Sequence, residues 1–269
     1  MKKILVRIVL ILAIIAIIAG IAYAIYGIYR KATLNVQNPV ATIEVEEYGT
    51  IKVELYPDKA PNTVTNFIRL ANRGYYNGLT FHRTIPNFVI QGGADKEDMT
   101  ASPRLSDIKE DVENDKEYNI KGEFIANGYE KNNIKHEKGV ISMARGDYSQ
   151  YGLTAEGYNS AAAQFFIMAE DNSQLDGLYA AFGKVTEGMD VVEKIANVEV
   201  YYRDSELKEG EEAPKDKEGN KIQSDTPKKQ PVIKSISVET YGTDYGIPET
   251  IDVFDINSWL MQQYGIMGM

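Results

Sequence analysis

A chain of 269 residues, 43% hydrophobic and 25% charged, is composed like an ordinary globular protein, which excludes wholesale disorder. Cysteine is absent, removing disulfides, thiol catalysis and zinc–thiolate sites, and with only His82 and His136 the sequence argues against a multi-histidine metal centre. The net charge is −10; residues 1–31 hold five cations and no acid, so the remainder carries −15 and should repel nucleic acid and anionic lipid headgroups.

Residues 8–28 run without a charge. As a helix they would span about 31 Å at ~1.5 Å per residue, enough for a single membrane crossing. Lys2, Lys3 and Arg7 precede the run, so the positive-inside rule puts the N-terminus in the cytoplasm and the body outside, with Tyr23, Tyr26 and Tyr29 as an outer aromatic belt. Ala22-Tyr23-Ala24 also fits a signal-peptidase site; cleavage after Ala24 would make the protein secreted instead of anchored. Export is expected either way. The short basic start and Ile/Lys/Asn/Tyr-rich wording suggest a bacterial source.

Residues 32–38 form a polar linker ending at Pro39. Alternating segments 40–46 and 50–55 flank Glu47-Tyr48-Gly49 as a β-hairpin. Pro61-Asn62-Thr63 opens a helix with Val64, Phe67, Ile68 and Ala71 on one face, and Gly74 caps its C-terminal end. Short strands are expected at 80–85, 88–91, 139–143 and 164–169, a second helix near 188–196 and a last strand at 232–238. Short strands with two helices imply a closed antiparallel barrel with helical plugs. The acidic stretch 95–117 and the charged stretch 203–230 interrupt this pattern, the latter as a mobile loop. The tail, 241–269, carries Ile256, Trp259, Leu260 and Tyr264 at the spacing of a short amphipathic helix. Asp111, Glu113 and Asp115 alternate like a calcium loop, but Lys116 and Gly122 stand where its glycine and glutamate belong, so a solvated acidic loop is expected.

The densest chemistry lies between Phe81 and Gly93. Two strands around a Pro86-Asn87 turn place Arg83 beside Phe88 and Gln91 on one face. A surface arginine resting its stem on apolar neighbours is the plainer reading of that cluster.

Five segments in order shift the balance. They are 62–93, with Thr63-Val64-Thr65-Asn66-Phe67; Gly139-Val140-Ile141-Ser142-Met143-Ala144-Arg145; Gln164-Phe165-Phe166-Ile167; Leu175-Asp176-Gly177; and Phe182-Gly183-Lys184-Val185 with Glu187-Gly188-Met189. Together they resemble the cyclophilin-type peptidyl-prolyl cis-trans isomerases over about residues 38–239, with two insertions. The resemblance implies a mainly β fold: an eight-stranded antiparallel barrel with two capping helices, occupying 39–240. It implies Arg83 as the catalytic arginine, with Gln91 and Phe88 beside it. His82, Val89, Ala144, Arg145, Gln164, Phe166, Leu175 and Tyr179 are implied substrate contacts. Val89 stands where the family often has methionine, Tyr179 where it often has histidine, and Ala163 where a serine usually precedes Gln164. Gln174 replaces a tryptophan of strong cyclosporin binders, which implies weak sensitivity to that drug. No metal or cofactor is required, and the expected partners are proline-containing unfolded or exported polypeptides. The alternative is a non-catalytic module that uses the same groove to tether proline peptides at the membrane.

Overall fold

A computed structural model describes residues 12–26, 37–95, 102–203, 206–207, 211–215, 219 and 221–265. The chain divides into two compact units, Met1–Gln37 and Asn38–Met269. In the first, residues 12–26 form a helix, α1, exposed along its length. No helix among the described residues is long and apolar enough to cross a membrane. The ends of the expected span, 8–11 and 27–28, lie outside the described residues, as do 32–36 of the linker, 96–101 of the acidic insertion and 266–269 of the tail.

The second unit is built on eight antiparallel strands: β1 Val40–Val45, β2 Gly49–Leu55, β3 Thr80–Ile85, β4 Val89–Ala94, β5 Val140–Met143, β6 Phe165–Met168, β7 Ala181–Glu187 and β8 Ile233–Glu239. Their order is β3-β4-β6-β5-β7-β2-β1-β8. The expected fully closed barrel is instead a curled half-barrel. Its end strands meet only at a short seam, where Thr80 bridges Val232 and the Ile233 amide donates to the Leu79 carbonyl at 2.7 Å. The Phe81 amide donates to the Pro231 carbonyl at 2.9 Å, while Pro231 itself has no amide hydrogen to return.

Helix α2, Pro61–Asn72, turns Val64, Phe67, Ile68 and Ala71 into the core as their spacing requires. It has no side-chain cap of its own. Buried Glu123 supplies one from afar, accepting from the amides of Asn62 (3.1 Å) and Thr63 (2.8 Å) at the positive end of the helix dipole. At the other end, Gly74 (φ +78°) permits a left-handed cap: its amide donates to Ala71 and that of Tyr75 to Leu70.

Two short helices, α3 Leu105–Ile108 and α4 Thr154–Tyr158, follow, and α5, Met189–Ala196, buries Val191, Val192 and Ile195. Described residues of both insertions pack on the domain. In the acidic one, Asp115 accepts from Arg104 Nε (2.8 Å) and the Ser106 amide (2.9 Å), while Ile108 enters the core. In the charged one, the described residues include Asp225, only 8% exposed.

The tail packs on the same unit. It is stitched to the domain before its helix begins: Asn62 and Glu249 exchange hydrogen bonds (2.9 and 2.7 Å), and Asn119 pairs with Ile251. The tail thus belongs to the same compact unit as the strands. Helix α6, Ile256–Tyr264, is capped by Asp255 and lays Trp259 against Tyr151, with ring centroids 6.3 Å apart.

Candidate active site

The strands β4, β6 and β5 are buried on both faces. Ile90, Phe165, Ile167, Ile141 and Met143 point into the main core. Alternation sends Val89, Phe166, Met168 and Val140 to the opposite face, where with Ala181 they form a second, smaller apolar cluster. The candidate site lies over this outer cluster, outside the barrel.

Register assembles it. Arg83 pairs with Gln91, Gln91 with Phe166, and Phe166 with Ser142, giving one transverse row across four strands. The β3–β4 turn bends through Asn87 (φ +56°) and returns Phe88 toward Arg83. Arg83, Phe88, Val89, Gln91, Ala144, Arg145, Phe166, Leu175 and Tyr179 line a cavity of about 170 Å³. It is apolar at its floor, with two guanidinium groups and one amide at its rim. The Gln91 amide donates to Gln164 Oε1 at 2.9 Å, which fixes its orientation.

Of the expected site residues, two fall outside this cavity. Gln164 lines an adjoining cavity of about 340 Å³ that shares Gln91, Ala144 and Arg145 with the first. Val253 and Phe254 of the tail form part of its wall, a contribution that no motif announced.

His82, expected at the pocket edge, lines neither cavity and is only 4% exposed. The cause is a bulge: Phe81 pairs with Gly92 and Arg83 with Gln91, leaving His82 as the extra residue. The bulge breaks alternation, so Phe81 enters the core while Arg83 faces out. Burial pushes the His82 pKa down from 6.5 to about 4, against a smaller upward pull from the Thr80 backbone; the Arg83 charge lowers it further and Gln164 raises it slightly.

Arg145 follows the end of β5. Its guanidinium carbon lies 4.6 Å from the Tyr179 ring centroid, 4.7 Å from that of Tyr158 and 5.6 Å from that of Phe124. The Tyr179 ring in turn meets Phe166 edge-on at 5.4 Å.

Beneath Phe166 sits a group that the sequence did not disclose. His136 stacks on that ring at 6.0 Å, approaches Ser142 Oγ through Nε2 (2.9 Å) and faces Asp176 Oδ1 through Nδ1 (3.4 Å). The order Ser–His–Asp matches a hydrolytic triad, but Ser142 is 0% exposed and lines neither cavity, so it cannot reach a substrate. Burial lowers the His136 pKa, with Asp176 opposing.

An apolar slot roofed by an arginine and a fixed amide suits a ring-bearing amide, and among the described residues no serine, threonine or cysteine lines it to act as a nucleophile. Residues 40–238 match the family model for cyclophilin type peptidyl-prolyl cis-trans isomerases, and the chain belongs to that family. It is 38% identical over 156 residues to peptidyl-prolyl cis-trans isomerase B of Bacillus subtilis, covering 58% of this chain and 90% of the relative. A Helicobacter pylori peptidyl-prolyl cis-trans isomerase is 35% identical, with 60% and 91% covered. Among solved structures, a Cryptosporidium parvum cyclophilin type isomerase determined in the presence of the dipeptide Ala-Pro superposes with a TM-score of 0.52 at 25% identity, covering 74% of this chain and 98% of that one. The protein is thus an enzyme, a peptidyl-prolyl cis-trans isomerase.

Proposed function

We propose that this isomerase accelerates X–Pro isomerisation in exported polypeptides, held at the outer face of a membrane by its N-terminal apolar segment. Arg83 is its electrostatic catalyst. Rotation about the X–Pro bond must break amide resonance against a barrier of about 20 kcal/mol. As the amide twists, the lone pair localises on the prolyl nitrogen, and a guanidinium N–H from Arg83 donates to it. That hydrogen bond is stronger in the twisted state than in either planar isomer, which is the requirement for catalysis. Phe88, Val89, Phe166 and Leu175 hold the ring and exclude water, while Gln91, oriented by Gln164, positions the substrate backbone. No bond is made or broken.

The observation that carries the site assignment is the row Arg83–Gln91–Phe166, which sets donor, anchor and apolar wall side by side on one face. Support for the location is the uncharged run 8–28 behind Lys2, Lys3 and Arg7.

Isomerisation measured by NMR exchange on a proline tetrapeptide tests the chemistry. Arg83→Ala is expected to lower kcat/KM by about 10²–10³-fold, the usual loss when one preorganised donor is removed, with an unchanged circular dichroism spectrum. Near-wild-type turnover would remove Arg83 from the mechanism. Fractionation of cells together with mass spectrometry of the mature N-terminus tests the location: an intact segment recovered with cytosol refutes it.

A further inference from the structure

Among the described residues, Arg145 is the only charged one that lines both cavities, and no Asp or Glu lines either of them. Arg83, the other cation of the groove, has Asp225 3.8 Å from its Nε. Arg145 is surrounded differently, by the faces of Tyr179, Tyr158 and Phe124. Its Nε donates to the Leu178 carbonyl (3.0 Å) and its Nη1 to the Gly146 carbonyl (2.9 Å). A guanidinium carries five N–H donors, so these two bonds and the aromatic cage fix its place without exhausting it. Asp147 lies close enough for the two charges to interact, but its carboxylate is taken by the Ser149 amide at 3.0 Å and it lines neither cavity.

A half-buried, immobilised cation facing a groove that no carboxylate lines among the described residues favours an anion from outside, because its pre-set geometry spares a ligand the cost of ordering it. An extended peptide advances about 3.3 Å per residue, so a side chain one or two positions from a proline seated over Phe166 reaches the adjoining cavity. We infer that Arg145 is a specificity-determining residue, selecting substrates with an aspartate or glutamate side chain within two residues of the isomerising proline. The inference deepens the isomerase reading and rests on it. The acidic body of the protein opposes such peptides at long range, so the preference is a contact effect.

The test uses end-blocked tetrapeptides with glutamate before, two before or after the proline, against the same peptides carrying glutamine. Affinity is read by NMR titration and turnover by exchange. At least one glutamate peptide should bind and turn over about five- to tenfold better than its glutamine counterpart, about 1–1.4 kcal/mol by the tenfold-per-1.4 rule. Arg145→Gln should bring that ratio near one, and Arg145→Lys should keep part of it. A structural role alone would lower both peptides together and leave the ratio standing. Equal affinities in the wild-type protein, or a ratio that survives Arg145→Gln, overturn the inference. Should Arg145→Gln fail to fold, the wild-type ratio decides with salt: a preference undiminished by raised ionic strength overturns it as well. Loss of turnover on every peptide, with the binding preference intact, would instead count against the isomerase reading.

Discussion

Acid should unfold this domain in a way that one residue makes measurable. His82 is buried at the bulge of β3 with its pKa lowered to about 4 by desolvation, against 6.5 when exposed. The unfolded chain therefore binds more protons between those values. Stability from this residue is intact above pH 6.5 and is lost as pH falls toward 4. Linkage gives a loss of about 2 kcal/mol between pH 7 and 5, approaching ~3 kcal/mol at pH 4, because a tenfold change in proton affinity is worth about 1.36 kcal/mol. The burial of His136 adds a loss of the same sign. The assay is urea unfolding of residues 38–269 within the full chain at pH 7, 6 and 5, for wild type and His82→Gln. The variant starts less stable at pH 7 because it disturbs a packed site, yet its stability should fall by about 2 kcal/mol less on acidification. Parallel pH profiles for the two proteins would refute the reasoning, since they would mean His82 titrates normally in the fold.

Two further outcomes follow from geometry. A Cβ on Gly183 would lie 2.5 Å from the Glu54 carbonyl oxygen, where β7 crosses β2. Gly183→Ala should thus destabilise the domain by about 1–3 kcal/mol, read as a lowered urea midpoint; an unchanged midpoint contradicts the close approach. Asp225 contacts Arg83 at 3.8 Å and binds Arg203 Nη1 at 2.9 Å. Because Arg83 is 39% exposed, the contact is screened and worth about 0.5–1 kcal/mol. Asp225→Asn should lower kcat about two- to fivefold with KM little changed, and a pure KM effect would show that Asp225 does not position Arg83.

What is legible in the sequence is what obeys a period. The hairpin from β1 to β2, the buried stripe of α2 and the Arg83–Gln91 pairing all follow from alternation or 3.6-residue spacing. Strand β7 escapes such a reading because Gly183 and the mixed pattern of residues 181–187 give no alternation, and its place is set by close backbone packing instead. His82 departs from its expected place for the converse reason, since a one-residue bulge inverts alternation without changing the residues. Of the candidate site, the row on β3, β4 and β6 is legible. The cage around Arg145 is not, because Phe124, Tyr158 and Tyr179 come together from three separate connections. Nor is the role of Asp225, which sits in a stretch whose composition reads as a mobile loop.

The strap that ties Glu249 to Asn62 has a bearing on how the protein is made. Strand β1 takes one of its two neighbours from β8, and the first turn of α2 is held by a residue 187 positions further on. Such distant pairing raises contact order and slows folding toward the millisecond-to-second range. Until those later residues leave the ribosome, β1 presents an unpaired edge and α2 an incompletely tied start. A peptidyl-prolyl isomerase of this topology would then itself depend on protection during its own synthesis.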